Sequence, residues 1–151
     1  MKLRLLLGTL AVFALPVTAE AQAGISLWAG FARASNDGAS TFDKTGLQLG
    51  AQFGVPLVPI GVRGEVLTQG MGFDSEHLSY LGSALWQLRF PVAQLYVIGG
   101  IGRYGITDGE TKSGWNLGAG ARLGIARLGL FAEVRRHDPL ERTITTIGLT
   151  F

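Results

Sequence analysis

From Thr45 to Val55 the chain alternates without a break. Leu47, Leu49, Ala51, Phe53 and Val55 share one parity, and Gly46, Gln48, Gly50, Gln52 and Gly54 share the other. A two-residue period belongs to a β-strand, whose successive side chains point to opposite sides. This strand has one apolar face and one small-or-polar face. Alone, it suits either a sandwich edge or a barrel wall. Recurrence narrows the choice.

Seven further segments repeat the pattern. Segment 24–33 sets Leu27, Ala29 and Phe31 against Ser26, Trp28 and Gly30, without fixing which face carries Trp28. Segment 60–69 sets Ile60, Val62, Gly64 and Val66 against Gly61, Arg63, Glu65 and Leu67. In 78–90, Leu78, Tyr80, Ala84, Trp86 and Leu88 oppose Ser79, Leu81, Ser83, Leu85, Gln87 and Arg89. Segment 95–104 is ambiguous, because both parities are apolar or glycine. Segment 114–125 sets Trp115, Leu117, Ala119, Ala121 and Leu123 against Asn116, Gly118, Gly120, Arg122 and Gly124. Segment 128–136 sets Leu128, Leu130, Ala132 and Val134 against Gly129, Phe131, Glu133 and Arg135, and 142–151 closes with Thr145, Ile147, Leu149 and Phe151 on one parity.

The connections alternate in length. Polar stretches at 34–44, 70–77, 105–113 and 137–141 are separated by short links at Pro56 to Pro59, at Pro91 and at Ala126-Arg127. Asp37-Gly38 and Asp108-Gly109 mark turns in two of the long ones. Eight strands of about ten residues, joined long and short in turn, predict an all-β fold: an eight-stranded antiparallel up-and-down transmembrane β-barrel. No part of 24–151 reads as a helix.

Charge placement sets which side is out. Arg63, Glu65, Arg89, Arg122, Glu133 and Arg135 read as mid-strand residues, all on the parity opposite the aliphatic and aromatic side chains. A soluble barrel carries its apolar residues inside. Here that would crowd Trp86, Phe90, Trp115 and many Leu, Ile and Val residues into one narrow lumen. The reverse arrangement puts the six charged groups in the lumen as a hydrogen-bonded, ion-paired polar network that fills it. Glycine is abundant, 23 of 151 residues, and falls inside the alternating runs, where it ordinarily weakens a strand. The expected reason is room for the lumenal arginines and glutamates. Phe53, Phe90 and Phe151 near one end, and Tyr80 and Trp115 near the other, suit interfacial girdles.

The chain begins Met1-Lys2-Leu3-Arg4, runs apolar to Leu15 and closes on small residues through Ala21 and Ala23. This pattern predicts a secretory leader over 1–23, cleaved after Ala23, with the barrel domain over 24–151. The apolar run is shorter than the roughly twenty residues of a spanning helix, which disfavours an anchor. Removing the leader takes away Lys2, Arg4 and Glu20 from totals of 13 basic and 11 acidic residues. The remainder is near neutral, so the basic composition does not point to nucleic acid. With no cysteine, a disulfide scaffold is excluded.

With these features the chain resembles the eight-stranded outer-membrane barrels of the OmpA/OmpX-like superfamily, over the whole of 24–151. The glycine-rich run Tyr96-Val97-Ile98-Gly99-Gly100-Ile101-Gly102 is similar to their fifth-strand segment. Ile147-Gly148-Leu149-Thr150-Phe151 resembles the C-terminal signal that the barrel-assembly machinery recognises, which would make Gly148, Leu149 and Phe151 an assembly signal. The resemblance implies a Gram-negative-type cell envelope, residence in the outer membrane among lipid and lipopolysaccharide, and a structural or surface-interaction role. The loops 34–44, 70–77, 105–113 and 137–141 would be the surface offered to an extracellular ligand. No peptidoglycan-binding domain follows Phe151 in this sequence, which argues against a cell-wall anchor.

Catalytic chemistry finds little support. The lipid A deacylase family is similar in size and barrel type and uses a membrane-facing His, Ser and Glu. Arg135-Arg136-His137-Asp138-Pro139 is similar to its basic-His segment, but Pro139 stands where its serine is needed. His77 and His137 fall in predicted loops and read as solvated histidines. The loop acids Asp37, Asp43, Asp74, Glu76, Asp108 and Glu110 lack EF-hand spacing, and Gly99-Gly100-Ile101-Gly102 has no following helix to make a phosphate loop. The expectation is a protein without a catalytic, cofactor or metal site. A lipid-modifying barrel enzyme is the first alternative, and a soluble ligand-binding barrel the second.

Overall fold

The computed structural model describes residues 24–36, 42–55, 57–68, 78–105, 110–125 and 128–151. Eight strands follow one another: β1 (Gly24–Asn36), β2 (Phe42–Gly54), β3 (Ile60–Thr68), β4 (Leu78–Arg89), β5 (Ala93–Gly105), β6 (Thr111–Ile125), β7 (Leu128–His137) and β8 (Arg142–Thr150). Each pairs antiparallel with the next, and β8 returns to β1, closing an up-and-down barrel. The predicted leader, the loop histidine His77 and the turn at Ala126-Arg127 lie outside the described residues.

Closure leaves no free sheet edge. The last rung of the β1–β8 seam is reciprocal: Leu27 N–H donates to the Phe151 carbonyl at 3.0 Å, and Phe151 N–H donates to Leu27 O at 2.9 Å. Within the seam Gly30 stands opposite Gly148. A Cβ on Gly30 would sit 2.8 Å from Thr146 Cγ2, and one on Gly148 would collide with the Ala29 carbonyl oxygen. Bare backbone on both strands is what lets the wall close here.

The short-turn end is tightly built. Phe90 N–H donates to Ala93 O at 2.7 Å around Pro91, whose ring presets the turn. Between β2 and β3, Val58 N–H reaches Val55 O at 3.3 Å, and Leu57 adopts φ 61°.

At the opposite end the strands run further than their apolar alternation does. β1 reaches Asn36 and β2 starts at Phe42, so strand pairing takes up part of the stretch read as loop 34–44; β5 and β6 likewise shorten 105–113. Backbone pairing continues once register is set, as Arg33 opposite Thr45 shows, whatever the side chains. The last loop, read as 137–141, is corrected in the same way. His137 is the final residue of β7, opposite Asn116 and Arg142. Asp138–Leu140 forms a single 3-10 turn, closed by Glu141 at φ 49°. It is the one helical turn among the described residues, in a stretch without a helical pattern.

The two sides of the wall differ as the charges require. Outward-facing Phe31 is 60% exposed and Leu117 59%, while inward-facing Arg135 is 1% and Glu133 2%. A barrel in water would invert this, because buried charge is costly and exposed apolar surface is avoided. Trp28, whose face the sequence left open, points inward, and so do Tyr96, Ile98 and Tyr104 of the ambiguous fifth strand.

Candidate functional site

Glycine and aromatic residues shape the lumen before any charge enters it. Trp28 lies opposite Gly50, Tyr96 opposite Gly120 and Phe131 opposite Gly148. A Cβ on Gly50 would fall 2.6 Å from Trp28 Nε1, and one on Gly120 would run into the Tyr96 ring. The expectation that lumenal glycines serve the arginines and glutamates is therefore only part of the account. Gly129 does so, its absent Cβ leaving room for the Arg122 guanidinium, whereas Gly118 lets the backbone of Val134 and Arg135 come close. Gly50 and Gly120 instead seat rings. The Trp28 and Phe131 rings meet edge to face at 5.1 Å.

Four of the six predicted charged residues come together at mid-lumen. β3 carries Arg63 and Glu65 two residues apart, and β7 carries Glu133 and Arg135 with the same spacing in reversed order. In a ring of eight, β3 and β7 are diametrically opposed and run in the same direction. Each arginine therefore meets a glutamate across the lumen. Arg63 Nη1 donates to Glu133 Oε2 at 2.6 Å, and Arg135 reaches both Glu65 oxygens, at 2.7 and 3.0 Å. Along the strands the square closes through Arg63–Glu65 at 3.5 Å and through Arg135–Glu133. Two positive and two negative charges leave no net charge at this level, and each ion has an opposite charge on two sides. That arrangement offsets the large desolvation cost of burying them.

A neutral shell completes the square. Gln48 Nε2 donates to Glu65 at 3.0 Å, and Thr146 donates to Gln48 Oε1 at 2.5 Å. Tyr96 O–H donates to Glu133 at 2.8 Å, while Arg63 Nε and Nη2 donate to Gln52 Oε1 at 3.2 and 3.0 Å. The Arg63 guanidinium also lies 4.9 Å from the Trp28 ring centre and 5.0 Å from that of Tyr96, within cation–π range. Above the square, Arg135 donates to Asn116, which donates to Tyr104 Oη at 3.2 Å.

Arg89 and Arg122 do not join this group. Arg89 is the last residue of β4 rather than a mid-strand residue, and its side chain is exposed at the short-turn mouth. There it donates to Gln87 Oε1, which also accepts Gln94 Nε2 at 2.6 Å. Arg122 is partly buried near the same end, opposite Gln94 and Phe131. Both keep the lumenal parity, but they sit one or two turns of ladder below the square.

His137 is corrected from solvated loop residue to core residue. It is 1% exposed, and its Nδ1 lies 2.9 Å from the Tyr104 hydroxyl. The odd parity of β7 that sends Phe131, Glu133 and Arg135 inward sends His137 inward with them. Its ring therefore does not face outward, where the deacylase-type arrangement needs it. Pro139 packs over Gly114, whose Cβ would lie within its ring. Of the C-terminal residues, Leu149 and Phe151 face outward, 45% and 52% exposed, and Gly148 faces the seam.

Sequence reasoning missed Trp28, Tyr96, Tyr104 and Thr146; it placed Gln48 and Asn116 on the polar parity without giving them a role in the network. Their polar or aromatic character on a lumenal parity was visible only where that parity was itself clear. In β1 and β5 it was not.

No protein-family model matches this chain, and no curated protein matches it. Solved structures do. A de novo designed transmembrane β-barrel aligns with a TM-score of 0.55 at 19% identity, over 87% of this chain and 98% of that one. The N-terminal β-barrel domain of Pseudomonas aeruginosa OprF aligns at 0.53 and 12% identity, again over 87% and 98%. Ail, the attachment invasion locus protein of Yersinia pestis, in complex with the heparin analogue sucrose octasulfate, aligns at 0.50 and 18% identity, over 83% and 93%. At these identities the likeness is one of fold: small membrane barrels of eight strands.

Proposed function

We propose that this chain is an integral outer-membrane barrel with a structural or surface-interaction role, and that it is neither an enzyme nor a general porin. The observation that carries this reading is the wall itself, with apolar side chains out and ion-paired side chains in. An apolar belt of this kind is stable in lipid and a liability in water. In this reading residues 1–23 direct export and are removed, and Gly148, Leu149 and Phe151 present the C-terminal strand to the assembly machinery. The long-loop end faces outward, offering 34–44, 70–77, 105–113 and the turn at Asp138–Leu140 to an extracellular ligand. An interior about as wide as its side chains, crossed by the four-charge square, supports a closed lumen.

Two measurements test the reading together. Pure protein folded in vesicles should migrate as a heat-modifiable band and give no stable porin-like conductance in planar bilayers. Large, reproducible channels would overturn the closed lumen, and a chain that stays soluble and monomeric without detergent would overturn the membrane assignment. A deletion strain should show unaltered lipid A by mass spectrometry and a change in envelope integrity or adhesion. Altered lipid A acylation would favour the enzyme instead.

A further inference from the structure

The outward face is not uniformly apolar. Three arginines lie on it, Arg33 in β1, Arg103 in β5 and Arg136 in β7, all exposed and all within four residues of the long-loop ends of their strands. The strand carboxylates with described side chains, Glu65 and Glu133, both face inward; Glu110, Asp138 and Glu141 lie beyond the strand ends. Most outward neighbours of these arginines carry hydroxyls: Thr45 and Thr145 flank Arg33, Tyr80 and Ser113 flank Arg103, and Arg136 lies between Thr143 and Leu117. Among the described residues, this end of the outward face thus carries arginines and hydroxyls.

Beneath Arg103 the wall is hollowed. Tyr80, Arg103 and Ser113 form one ladder row across β4, β5 and β6, and Gly82, Ile101 and Trp115 form the next row toward the middle. A Cβ built on Gly82, or on Gly64 beside it, would meet nothing within 4 Å. The result is an open groove of about 780 Å³. Its floor is bare backbone, its sides are Tyr80, Ile101 and Trp115, and its upper rim carries the Arg103 guanidinium.

We infer that this groove holds one phosphorylated glycolipid of the adjoining leaflet, with an acyl chain along Gly82, Ile101 and Trp115 and a phosphate on Arg103. The inference rests on the proposed outer-membrane placement and names a partner for it. A guanidinium matches a phosphate through paired N–H donors. The Tyr80 and Ser113 hydroxyls, in the same ladder row as Arg103, suit a sugar better than a bare glycerol phosphate.

The test is native mass spectrometry of the full mature chain, folded in detergent and mixed with an acylated diglucosamine bisphosphate, with its dephosphorylated form, or with phosphatidylglycerol. The wild type should retain one bisphosphorylated glycolipid about ten-fold more tightly than the dephosphorylated form. Arg103→Gln should abolish that preference, and Arg103→Lys should restore part of it. Gly82→Leu adds a side chain to the floor, where a Cβ meets nothing within 4 Å, and should weaken both forms alike. Equal retention by wild type, Arg103→Gln and Gly82→Leu would overturn the inference. So would phosphatidylglycerol held as well and with the same Arg103 dependence, or Ile101→Cys cross-linking two copies through this face while lipid is excluded. Heat-modifiability of the same samples separates the two claims: folded barrels with uniform lipid retention sink the groove alone, and unfolded chains sink the membrane reading beneath it.

Discussion

Leu49 and Gln48 are neighbours in β2, and they show what the two sides of the wall have in common and where they part. Leu49 points outward and is 39% exposed, held by nothing polar. Gln48 points inward and is 1% exposed, fixed between Glu65 at 3.0 Å and Thr146 at 2.5 Å. Along its apolar belt the outer side is permissive of shape and intolerant of charge, because its solvent there is hydrocarbon. The inner side requires charge in set pairs and is intolerant of shape, because eight strands leave space only for interlocked side chains. One backbone serves both because its residues alternate.

Breaking the square should have the largest effect. Arg135→Leu removes one of the two arginines that Glu65 and Glu133 share, leaving two buried carboxylates on Arg63 alone, and should destabilise the folded barrel by about 3–5 kcal/mol, as breaking a buried ion pair does. Adding Glu65→Leu should recover part of this loss, since Arg63 and Glu133 remain paired at 2.6 Å. Urea unfolding in lipid vesicles measures both. A double variant worse than the sum of the singles would contradict the paired square.

Next comes charge on the outer side. Leu49→Arg places a guanidinium in the apolar belt and should cost roughly 2–4 kcal/mol in the same assay.

The same small change on the two sides sharpens the contrast further. Gly50→Ala puts a methyl 2.6 Å from Trp28 Nε1, and overpacking of this kind costs about 1–3 kcal/mol. Gly82→Ala faces open space on the outside. It should have the smallest effect, between no change and a gain of about 1 kcal/mol from lower backbone entropy in the unfolded chain. Equal effects of the two alanines would mean that the sides are not packed as described.

Much of this was legible before the structure, for a physical reason. Strand existence, number and facing follow from two-residue alternation, and Arg63, Glu65, Glu133 and Arg135 mark the lumenal parity themselves. What was not legible depends on which strand lies beside or across from which. The crossing of Arg63 to Glu133 needs β3 opposite β7 in a closed ring, which alternation in one strand cannot express. The seating of Trp28 over Gly50 and Tyr96 over Gly120 needs the register. β5 gave no contrast, because Ile98 and Val97 are equally apolar although one faces in and the other out. His137 looked like a loop residue only because Asp138 and Pro139 follow it; the ladder to Asn116 carries the strand three residues past Val134, its last apolar one.

The three tryptophans allow the central claim, an apolar face in lipid and a polar lumen, to be measured on the chain's own side chains. Trp86 and Trp115 face outward, 48% and 49% exposed, and Trp28 faces inward at 4%. Variants retaining one tryptophan each, with the others changed to phenylalanine, are folded into vesicles of lipid brominated along the acyl chains. Fluorescence of Trp86 and of Trp115 should be strongly quenched and that of Trp28 left nearly intact. Quenching of Trp28 as deep as that of Trp86, or no quenching of any of the three in folded protein, would contradict the account.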